Sequence, residues 1–84
     1  MKVSTWNNAR KKLKIQFERD GITHCELCNA AYPLGFAHRY KRRMITDDAE
    51  IMVVALLCNP CHQTIEISGH DNMKNAIDAI IKNR

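Results

Sequence analysis

Four cysteines and two histidines carry the chemistry that this sequence offers. The chain reads Cys25-x2-Cys28, then 29 residues, then Cys58-x2-Cys61, and His62 follows the last cysteine directly. Each x2 spacing turns both sulfurs of a pair towards one point, so two pairs supply the complete tetrahedral thiolate shell of a structural Zn²⁺. With four sulfurs bound, such an ion has no open position for substrate. It works as a clamp that ties the first third of the chain to the last third. Two disulfides would need an oxidising compartment. "CNPCH" also fits the haem-attachment spacing, but haem would leave the first cysteine pair without a role.

The full sulfur shell leaves His62 spare. Glu66 lies four residues on, which is one helical turn along the same face, and a histidine and a carboxylate so placed can share a metal. His38 precedes a run of cations: Arg39, Lys41, Arg42 and Arg43. A second basic group, Arg10, Lys11, Lys12 and Lys14, sits near the N-terminus. The formal net charge is +4, and four zinc-bound thiolates would remove about half of it. Clustering therefore argues for a polyanionic partner better than net charge does. Each cluster alone is equally well read as a solvated face. His24 and His70 have no partner residues to give them a role.

The elements that must position these groups fit in one small α+β domain, residues 1–84. Residues 1–21 hold an opening helix, "STWNNARKKLKIQFERDG", capped by Ser4 or Thr5 and ended by Gly21. Trp6, Ala9 or Arg10, Leu13 and Phe17 make its apolar stripe. Residues 25–66 hold both cysteine pairs. Within them "GFAHRY" suits a short strand, and "TDDAE" a polar loop or a short helical turn. "IMVVALLC" suits a buried strand or a packed helix, since periodicity does not separate the two. Pro60 suits the first turn of a helix through "PCHQTIEI", and "SGHDN" breaks it. Asp71 caps a last helix, 71–82, with Met73, Ala76 or Ile77, and Ile80 or Ile81 facing inward. A chain of 84 residues buries a thin core, so a metal staple is expected. No stretch has the length of a signal peptide or a membrane span, so a cytoplasmic protein with no membrane partner is expected.

The segments "CELC", "FAHRYKRR" and "LLCNPCHQTIE" together resemble the HNH endonucleases, in their small zinc-clamped form with a ββα-metal core. The resemblance spans roughly residues 25 to 66, half of the chain. It implies that His38 is the general base that activates water against a phosphodiester. It implies that His62 holds the catalytic divalent metal, Mg²⁺ or Mn²⁺ or a similar ion, with Glu66 as a further ligand. Arg39, Lys41, Arg42, Arg43, Lys11 and Lys12 would then contact DNA phosphates. Little sequence preference is expected of so small a surface. RNA is a second candidate substrate, and a phage or other prokaryotic setting is expected. Two positions depart from the family pattern. Ala37 stands where a metal ligand usually precedes the base, and no Asn or Gln lies between His38 and Cys58. These departures suit an alternative reading: a zinc-stabilised module without catalysis that binds nucleic acid or a host or phage protein.

Overall fold

A computed structural model describes residues 2–84; Met1 lies outside them. Four helices and a two-stranded antiparallel sheet make a small α+β structure. Helix α1 runs Val3–Arg19, strand β1 Leu34–His38, helix α2 Asp48–Ile51, strand β2 Val54–Cys58, helix α3 Asn59–Ile67 and helix α4 His70–Lys82.

β2 is covered on both faces, which explains its composition, while β1 is covered only in part. β1 and β2 pair from Leu34 opposite Cys58 to His38 opposite Val54. Side chains alternate across the pleat. Val54 and Leu56, with Leu34 and Phe36, meet Leu13 and Phe17 of α1. Ala37, Ala55 and Leu57 point the other way, into a core with Ile65 of α3 and Met73, Ile77 and Ile80 of α4. Every residue of β2 is therefore buried. A strand buried on both sides reads as a continuous apolar run rather than an alternating one. Ile51 belongs to α2 and not to the strand, so "IMVVALLC" is divided between the two elements.

α1 buries the expected stripe, Trp6, Ala9, Leu13 and Phe17, and leaves Arg10 exposed. Its N-cap is Lys2, with no side-chain cap; neither Ser4 nor Thr5 caps it. The Thr5 N–H bonds back to the Lys2 carbonyl at 3.1 Å, so Thr5 already lies inside the first turn. At the far end Gly21 takes φ +77°, a left-handed conformation that glycine adopts without steric cost. "TDDAE" forms the short helix α2, and the Asp47 carboxylate accepts the Ala49 N–H at 2.9 Å. α3 carries Pro60 in its first turn, as expected. α4 differs in its start. Gly69 at φ +100° is the N-cap, and Asp71 sits in the first turn, where a carboxylate still favours the positive end of the helix dipole.

Candidate functional site

The four cysteines come from three elements. Cys25 and Cys28 lie on a turn that ends at Asn29, whose φ is 66°. Cys58 closes β2, and Cys61 stands in the first turn of α3. The four Sγ atoms all lie within 4.8 Å of one another. The Cys28 and Cys58 sulfurs are 3.4 Å apart. Tetrahedral Zn–S bonds of about 2.3 Å require S···S separations of about 3.8 Å, so the cluster has the dimensions of a structural zinc site. No pair is bonded as a disulfide. The Cys28 N–H donates to Cys25 Sγ at 3.5 Å, a contact that favours a thiolate there. Burial raises the Cys25 thiol, but N–H groups from Cys28, Cys58 and Leu27 outweigh it and lower the pKa to about 6. Cys61 moves the opposite way, raised first by the neighbouring Cys58 sulfur and then by burial. Four thiols this close cannot all ionise without a cation among them.

Glu26, inside the first cysteine pair, docks this turn onto β2. Its N–H donates to the Leu56 carbonyl at 2.8 Å, and its carboxylate accepts the Leu56 N–H at 2.9 Å. The same carboxylate receives two N–H bonds from Arg84, at 3.0 and 2.8 Å. Arg84 also donates to the Val54 carbonyl at 2.9 Å and lies over the Phe17 ring. Neither residue has a local sequence cue for this role.

His38 ends β1 and faces α1, with the Trp6 ring edge-on at 5.3 Å between centroids. Its Nε2 lies 3.0 Å from the Ile51 carbonyl oxygen. A carbonyl only accepts, so Nε2 carries the proton and Nδ1 keeps a free lone pair. Burial lowers the pKa of His38 below its ordinary value. The Ile51 carbonyl opposes that, and the charge of His62 adds to it. The ring is thus neutral near pH 7.

His62 and Glu66 stand one turn apart on α3, with Nε2 and Oε1 at 3.3 Å. Both are accessible, and together they present one nitrogen and one carboxylate to a cation. Among the described residues, only the four cysteines form a group of three or more metal-ligating side chains. Ala37, the position before His38, is 1% exposed and packed in the α3–α4 core.

The basic clusters are divided by the fold. Arg39 turns inward: Nε and one terminal nitrogen grip the Glu50 carboxylate, and the other reaches Asp78 of α4 at 3.0 Å. Its donors are therefore committed to carboxylates. Arg42 lies over the Trp6 ring at 4.5 Å. Lys41 and Arg43 are exposed, as are Lys11 and Lys12 on α1. Arg10 and Lys14, with Arg42 and His38, line a groove between α1 and the sheet. Their place beside the buried Ala9 and Leu13 was the signal for this. His24 and His70 are exposed, and His24 Nδ1 lies 2.9 Å from the Thr23 hydroxyl. No helix among the described residues is long and apolar enough to cross a membrane. Comparison with protein-family models, with curated proteins and with solved structures gives no match to this chain.

Proposed function

We propose that the protein is a zinc-clamped, metal-dependent endonuclease of the HNH type, with a ββα-metal core, that hydrolyses DNA phosphodiesters with little sequence preference. The observation that carries this reading is the state of His38. Its proton is held on Nε2 by the Ile51 carbonyl, and its free Nδ1 is kept neutral by burial. That is the state of a general base poised to take a proton from water near pH 7. The order β1, β2, α3 supports it, with His38 at the end of the first strand and His62 and Glu66 on the helix after the second.

His38 Nδ1 removes a proton from water, the water oxygen attacks phosphorus, and the bond to the leaving deoxyribose oxygen breaks, that oxygen taking a proton from solvent. His62 and Glu66 are the residues that would hold a divalent ion such as Mg²⁺ or Mn²⁺, which supplies positive charge against the developing phosphorane and leaving oxygen. Their nitrogen-plus-carboxylate set, accessible to water, fits such an ion. Lys41, Arg42 and Arg43 remain exposed for phosphate contact.

A second reading is favoured by one observation: the methyl of Ala37 is buried in the core where the resembled family carries a metal ligand. On that reading the fold binds nucleic acid or a partner protein without cutting. The test is cleavage of supercoiled plasmid by zinc-loaded protein with Mg²⁺, Mn²⁺ or Ni²⁺, beside His38→Ala and His62→Ala, with zinc content verified for each. Nicked or linear product from the wild type, lost in both variants, supports the nuclease. No product with any metal from folded protein sinks it and leaves the binding module.

A further inference from the structure

The groove between α1 and the sheet encloses about 680 Å³, and its walls differ in character. The floor is apolar, built from residues such as Leu34, Phe36 and Leu56. Leu34, Gly35 and Phe36 of β1 are only partly covered, so that floor is open to a ligand. The rim is basic. Arg10 and Lys14 each follow a buried α1 residue by one position, so they form a row one turn apart along a single edge of the helix. Arg42 stands over Trp6 on the same groove, and His38 lines it too. Glu18, the next residue in the α1 row, is the one carboxylate on the lining.

We infer that this groove binds an unpaired single strand of nucleic acid, with phosphates on Arg10, Lys14 and Arg42 and bases against the apolar floor around Phe36. The inference rests on the nuclease reading in that it names the form of nucleic acid brought to His38. Duplex DNA offers phosphates to the rim but keeps its base faces stacked inside, and so has nothing to place on the floor. An unpaired strand has both, and a basic rim beside apolar and aromatic side chains is the combination that single strands use. Arg42 and His38 both meet the Trp6 ring and both line the groove, so a strand held by the rim lies beside His38.

Binding and cleavage can be read separately. Trp6 is the sole tryptophan and lines the groove, so its fluorescence reports occupancy there. The experiment titrates zinc-loaded protein, without other divalent metal, with a 12-nucleotide single strand of mixed sequence, its duplex, and a Glu-rich peptide of matched charge. The single strand is expected to bind about tenfold more tightly than the duplex and to change Trp6 emission. Arg10→Ala with Lys14→Ala, both exposed helix positions, should weaken strand binding about tenfold. It should also lower the slope of log K against log salt by about 1.4, or 0.7 for each lost phosphate contact. Lys11→Ala with Lys12→Ala, off the groove, should do less. Equal or tighter duplex binding, equal binding of the peptide, wild-type affinity in the Arg10/Lys14 variant, or an equal loss in the Lys11/Lys12 variant would each overturn the inference. Retained strand binding with no cleavage of either plasmid or the single strand, under any divalent metal, would remove the nuclease and leave the groove assignment standing.

Discussion

The Arg39–Glu50 pair is expected to hold the His38 loop in place, and its strength can be worked from the geometry. Arg39 follows His38, and Glu50 precedes Ile51, whose carbonyl fixes the imidazole. The ion pair and the histidine bond are therefore adjacent rungs between the same two segments. Exposed ion pairs contribute about 0.2–1 kcal/mol. This one is a two-pronged guanidinium–carboxylate contact with side-chain exposures of 24% and 16%, so it lies above that range. Charge-assisted hydrogen bonds contribute about 1.5–3 kcal/mol each when their partner is otherwise stranded, and part of that is lost to desolvation. A coupling energy of about 2 kcal/mol follows for Arg39 with Glu50. The shift in Arg39 agrees in sign: the Glu50 carboxylate, and Asp78 after it, raise its pKa above the ordinary value. The assay is a double-mutant cycle of Arg39→Ala and Glu50→Ala by urea unfolding, at one fixed free zinc concentration so that metal linkage cancels. Arg39→Lys should recover little, because an ammonium cannot span both carboxylate oxygens. A coupling below about 0.5 kcal/mol would refute the claim that this pair, rather than backbone packing, braces the loop.

Three further outcomes are expected. Removing zinc with a chelator should abolish the cooperative thermal transition, since the cluster joins the 25–28 turn, β2 and α3; a metal-free protein that melts at the same temperature would count against the clamp. His38 should remain neutral in an NMR titration down to a pH below the ordinary histidine value of 6.5. Its folded pKa is depressed, so the unfolded chain binds the proton first. This contribution to stability is complete above pH 6.5, declines as the pH falls through the folded value, and should vanish in His38→Phe. Arg84→Ala should cost about 2 kcal/mol in urea unfolding, because it removes two of the three hydrogen bonds to a Glu26 carboxylate that is 10% exposed; Arg84→Lys should restore less than half.

The features legible in the sequence are those with local periodicity or fixed spacing. Trp6, Ala9, Leu13 and Phe17 follow the helical repeat, and all four are buried. The cysteine spacing was enough to expect one converging cluster. The ambiguous run before Cys58 could not be resolved by period, because a strand covered on both faces has none. Its division between α2 and β2 depends on α1 packing from one side and α3 with α4 from the other. Helix starts at Lys2 and Gly69 were misplaced because polar residues just inside each helix, Ser4, Thr5 and Asp71, look like caps. Long-range charge partners had no local cue at all. Arg39 reads as one of four cations within five residues, yet its partners lie 11 and 39 residues away. For the same reason the division of the basic residues, Arg10 and Lys14 on the groove and Lys11 and Lys12 off it, required knowing which α1 positions face the sheet.

The bond between Arg84 and Glu26 also orders events in time. It closes a loop of 58 residues, whereas the sulfurs of Cys28 and Cys58 close one of 30. Each doubling of loop length costs about 0.6 kcal/mol in closure entropy. The cysteine-bearing turn and the hairpin should therefore assemble first, with the arginine latching late onto a carboxylate that the Leu56 N–H has already aligned. Opening should run in reverse. The last turn of α4 is expected to exchange its amide hydrogens early, and its release uncovers Phe17, so the α1 layer loosens while the half of the molecule around the cysteine cluster stays closed.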